Sequence, residues 1–99
     1  MNYHFHPEAF QEYAEATQYY AGISTSLAIG FVSQVEEGIN LILLYPRAWQ
    51  PIEEDIRRHL VKGFPFGIYY TIENNETLII QAVMHLSRKP GYWKARILK

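Results

Sequence analysis

The chain has no cysteine. This excludes a disulfide scaffold, a thiolate metal site and a cysteine nucleophile in one step. Carboxylates are missing from Ile80 onward, although five basic residues remain there. The opening Met1-Asn2-Tyr3-His4-Phe5-His6-Pro7-Glu8 has neither a basic region nor an apolar run of signal-peptide length. The apolar stretches read as too short to cross a bilayer, so the expectation is a soluble cytoplasmic protein with no membrane partner. Phosphate-loop, dinucleotide, zinc-protease and Ser-His-Asp patterns do not occur. His4 and His6 lack further ligands of the right type, so neither metal nor cofactor is expected.

What is present fits one small domain over residues 1–99. At 11.6 kDa the size scaling gives about 5,800 Å² of folded surface, with roughly two-thirds of the unfolded surface buried. Hydrophobic residues make up 48% of the chain and charged ones 19%, a globular balance. The net charge of −1 hides a split: residues 1–55 carry one basic and eight acidic groups, and residues 56–99 eight basic and two acidic. Such polarity can focus an anionic partner on one side of a nearly neutral molecule. It is also compatible with ordinary solvated charges separated in space.

The pattern predicts an α+β fold. Tyr3–Phe5 reads as a short strand. Pro7 opens a helix in which Phe10, Tyr13, Ala14 and Thr17 share a face, Glu12 and Glu15 stay wet, and Gly22 marks the end. Ser24, Thr25 or Ser26 caps a second helix with the stripe Leu27/Ala28, Phe31, Val35, Ile39, Ile42, Leu43, ended by Tyr45-Pro46. Arg47 to Asp55 reads as a loop, with Trp49 either covering the core edge or facing a partner. Strands follow at 56–62, 66–73 and 78–84, separated by Gly63-Phe64-Pro65 and Asn74-Asn75. The last strand is apolar on both faces and belongs inside the sheet. The expected layout is β-α-α-β-β-β, a helical hairpin packed on a small, mostly antiparallel sheet.

The functional candidates lie in the basic half. An RNA-cleaving site needs a base for the ribose hydroxyl, a cation for the phosphorane charge and an acid for the leaving oxygen. Arg57, His85, Arg88 and Tyr92 supply those chemical types. Arg58, Arg88, Tyr92, Trp93 and Arg96 are the candidates for a partner-binding surface. Each has a structural alternative: Trp93 closing the core, His85 hydrogen-bonding locally, one of Arg57 and Arg58 pairing with Glu53, Glu54 or Asp55.

Several landmarks resemble the ParE/RelE toxin superfamily. They are Phe5-His6-Pro7-Glu8-Ala9, Tyr19-Tyr20, Arg57-Arg58, Phe64-Pro65-Phe66-Gly67-Ile68-Tyr69-Tyr70, and above all the run from Ala82-Val83-Met84-His85 through Arg88-Lys89-Pro90-Gly91-Tyr92-Trp93-Lys94-Ala95-Arg96. The resemblance implies the toxin half of a bacterial type II toxin–antitoxin pair, masked by a segment of a cognate antitoxin. Within the superfamily, RelE-like members cleave messenger RNA on the ribosome and ParE-like members interfere with DNA gyrase. Lys62 is the only lysine before Lys89, so the lysine set of the RelE-like nucleases is missing. The expected function is therefore a non-catalytic, ParE-like gyrase inhibitor. The alternatives are a RelE-like ribonuclease and a degenerate protein that only binds antitoxin.

Overall fold

The computed structural model describes residues 1–88 and Arg96. The elements are β1 (Asn2–Phe5), α1 (Pro7–Ile23), α2 (Thr25–Leu44), β2 (Pro51–Glu53), β3 (Ile56–Leu60), β4 (Phe66–Glu73) and β5 (Thr77–His85). They form one five-stranded sheet in the order β1-β5-β4-β3-β2. β1 runs parallel to β5, and every other pairing is antiparallel. The β-α-α-β-β-β layout is thus present with one addition: part of the expected loop, Pro51–Glu53, pairs with β3 as an edge strand.

Each helix begins with a side-chain cap. At α1 the His6 Nδ1 accepts from the Glu8 N–H at 3.1 Å, and Pro7 fills the first position, where a missing N–H costs nothing. Gly22 does not end this helix, which continues to Ile23. The break is made by Ser24, in extended backbone at φ −163°, ψ 147°. Its N–H bonds the Tyr20 carbonyl and its Oγ accepts from the Leu27 N–H at 3.0 Å. One residue therefore closes α1 and caps α2, which fixes the helices as a tight antiparallel hairpin.

α2 buries Ala28, Phe31, Val35, Gly38, Ile39 and Ile42, close to the expected stripe. Its 20 residues are long and apolar enough, by length and composition, to cross a membrane, contrary to the sequence expectation. Their inward side is instead packed against the sheet, with Phe31, Val35, Ile39 and Ile42 at most 2% exposed, and Glu36 and Glu37 sit mid-helix. Phe31, Tyr20, Phe64 and Phe66 meet ring to ring at 5.0–5.3 Å, mostly edge to face. Ile68, Tyr70, Leu78, Ile80 and Val83 complete this core from the sheet. β5 lies between β1 and β4, as its two apolar faces required. On the sheet face away from the helices, Ile56, Tyr69, Ala82 and Met84 form a second buried cluster. The register slips between Tyr69 and Tyr70, so that Gln81 is the extra residue of a bulge. The β4–β5 turn uses Asn74 and Asn75 at φ 54° and 60°, the left-handed region that asparagine tolerates best among residues with a Cβ.

Candidate partner-binding site

The candidate residues fall in four places. Arg57 lies opposite Tyr70 in the β3–β4 register, on the helix side of the sheet. Its guanidinium donates to the Arg47 and Trp49 carbonyls, not to Glu53, Glu54 or Asp55. It holds the α2–β2 loop, and Trp49 covers the core edge with its indole 4.8 Å from the His59 ring.

Arg58 points to the other face, opposite Tyr69. A Cβ at Gly67 would come within 3.2 Å of the Arg58 Cγ and Cδ and 3.0 Å of the Tyr69 ring. The bare glycine is what lets this half-buried stem lie against the sheet. Among the described residues no carboxylate pairs with Arg58, so its charge remains available.

His85 ends β5, exposed, edge-on to Phe66 at 5.3 Å. Its Nδ1 accepts from the Ser87 N–H at 3.1 Å and lies 2.7 Å from the Ser87 Oγ. A backbone N–H can only donate, so that bond assigns Nδ1 as the unprotonated nitrogen. The neutral ring then presents Nε2–H outward as a donor, which is the wrong state for a general base.

Arg96, expected on a docking surface, is buried, with its side chain 4% exposed. Nη1 and Nη2 grip both oxygens of Glu12, at 3.0 and 2.7 Å, and Nη1 also donates to the Gln81 carbonyl at 2.8 Å. Glu12 Oε1 additionally accepts from the Val83 N–H at 3.1 Å. The geometry explains this correction. β1 leaves the sheet after Phe5, its last bond running from the His6 N–H to the Ile80 carbonyl. The next polar groups on that flank of β5 would be unsatisfied. A carboxylate from α1 and a guanidinium from residue 96 take the place of a strand there. Glu12, expected to stay wet, is 11% exposed at its side chain. Tyr92 and Trp93 lie outside the described residues.

The ribonuclease constellation is dispersed. Arg57 and His85 face Tyr70 and Phe66 of β4 from opposite sides. That places them about 13 Å apart along the strand and about 10 Å apart across the sheet. Arg57, moreover, is committed to loop carbonyls.

What the sequence did not disclose is a groove beside α1. Two adjoining hollows share Ala16, Phe66 and His85. One, about 210 Å³, is bounded by Glu12, Glu15 and Arg88. The other, about 430 Å³, is lined by Tyr19, Tyr20, Ile23 and Pro65. Tyr19 and Ile23 are 67% and 58% exposed, so the groove has an apolar end and a charged end. The signal was present in Glu12, Glu15, Tyr19 and Ile23, three or four residues apart on one side of a helix.

Residues 3–90 match the family described as "ParE toxin of type II toxin-antitoxin system, parDE". No curated protein matches the chain.

Proposed function

We propose, from the premise that the chain belongs to the ParE toxin family of type II toxin–antitoxin systems, that it acts by binding DNA gyrase in the cytoplasm rather than by cleaving RNA. The toxin role and the existence of a cognate antitoxin follow from family membership. The observation that carries the non-catalytic reading is the dispersal of Arg57 from His85, with the His85 Nδ1 lone pair already engaged by Ser87. Arg58, bound by no described carboxylate, is the target-facing cation in this reading. The α1 groove takes the antitoxin segment: Tyr19 and Ile23 offer apolar contact, while Glu15 and Arg88 set its polar end.

Purified protein assayed for inhibition of supercoiling and for ribosome-dependent mRNA cleavage separates the mechanisms. Supercoiling inhibition, relieved by the antitoxin, is expected. Cleavage without a gyrase effect establishes the ribonuclease alternative, and neither activity the degenerate one. Ile23→Asp should weaken antitoxin binding at least tenfold and leave gyrase inhibition intact. Arg58→Ala should do the reverse.

A further inference from the structure

Away from that groove, the outward side of α2 carries a second apolar surface. Leu41, Leu44 and Tyr45 follow one another at helical spacing and are 36%, 68% and 60% exposed. Beside them is a trough of about 330 Å³ between α2 and the end of β3. β2 pairs with β3 only as far as Arg57, so at Leu60, 52% exposed, the sheet edge is uncovered. The trough exists because residue 38 is glycine. A Cβ there would come within 2.8 Å of the His59 ring, and without one the helix surface is indented. Isolated apolar residues on a surface need no explanation, but a contiguous row beside an indentation is the form of a contact site.

We infer that this face of α2 binds a second copy of the same chain about a two-fold axis. The argument is self-complementarity, the requirement of such an interface. In an antiparallel pairing of two α2 helices centred on Leu41, Gly38 of one copy stands opposite Leu44 of the other, so the projecting side chain meets the indentation. In the same register Glu37 stands opposite Tyr45, whose phenol O–H is a donor for the carboxylate. The charges also balance within the face. Glu37 and Lys62 both border the trough, so the surface meets itself without net repulsion. The neighbouring Glu36 is occupied by the Tyr13 hydroxyl at 2.8 Å. A partner of one charge sign would gain little from such a face, whereas a second copy supplies the knob, the hole and both charges.

Sedimentation velocity on the chain alone tests this. A concentration-dependent species of about 23 kDa, twice the 11.6 kDa chain, is expected. Leu44→Glu should raise its dissociation constant at least tenfold, with the helical circular dichroism unchanged. Ile29→Glu changes a residue of α2 that is equally exposed, at 65%, but lies off this face, and should leave the dimer intact. A wild-type chain that stays monomeric throughout overturns the inference. So does equal disruption by Ile29→Glu. Loss of antitoxin binding in Leu44→Glu, with a monomeric wild type, assigns the face to the antitoxin and also overturns it. None of these outcomes depends on the gyrase reading.

Discussion

A single guanidinium shows how much one side chain can be asked to do. Arg96 satisfies the Gln81 carbonyl and neutralises a carboxylate that itself holds the Val83 N–H. Its replacement by alanine strands the Glu12 charge at 11% exposure, and breaking one side of such a pair typically costs about 3–5 kcal/mol. Arg96→Ala should therefore lower the urea midpoint sharply with the slope retained. A change within about 0.5 kcal/mol, the usual range for surface substitutions, would return Arg96 to the solvent-facing role its sequence context suggested. That context was misleading for a definite reason. Arg96 sits among basic and aromatic residues, but its partner is 84 positions away, and local composition carries no information about so distant a carboxylate.

Among the elements, legibility followed periodicity. Phe66, Ile68, Tyr70 and Ile72 alternate, and β4 spans 66–73 as the alternation required. The stripe from Phe31 to Ile42 likewise gave the buried side of α2. β2 was illegible because its three residues are all exposed and begin with proline; only the adjacent edge of β3 makes them a strand. Glycine was the other source of error, since residue type does not tell a helix end from a close approach. At Gly22 a Cβ would meet nothing within 4 Å, whereas at Gly38 it would strike His59 at 2.8 and 2.9 Å and Ile68 at 3.1 Å. Alanine gains up to about 1 kcal/mol over glycine in a helix. At Gly30, whose nearest neighbour is Phe64 at 3.7 Å, Gly30→Ala should show that gain. At Gly38 the His59 ring is boxed in by Trp49, so Gly38→Ala should be destabilising by about 1–3 kcal/mol through overpacking. Thermal unfolding of the two variants should move the melting temperature in opposite directions; a rise in both would refute the close-contact account.

For the molecule as a whole, the charge split did not become two electrostatic poles. The acidic helix α1 reaches into the basic half through Glu12, and the one arginine of the acidic half, Arg47, bonds Asn75 in the β4–β5 turn. Counting charges along the chain predicted the quantity of charge but not its cancellation. The fold's response to pH is set by buried rings. Burial pushes the His59 pKa below the ordinary 6.5. The unfolded chain therefore takes up a proton first, and stability present above about 6.5 is lost as the pH falls. Burial pushes the Tyr70 hydroxyl, which donates to the Pro46 carbonyl, up to about 12, and raises Tyr13 as well. Their contribution is complete below the ordinary value of 10 and disappears as the pH climbs through the folded values. Urea titrations should thus give a plateau between about pH 7 and 10 that declines on both sides. A profile still level at pH about 5 would contradict the acid limb.

The clasp across β5 has a temporal corollary. Synthesis runs from the N-terminus, so α1 and its Glu12 emerge long before the residue that will neutralise it. Until position 96 clears the ribosomal tunnel, the nascent chain holds a charged group where it needs a closed pair. The final tightening of this flank is thereby deferred to a moment when nearly every other contact is already available.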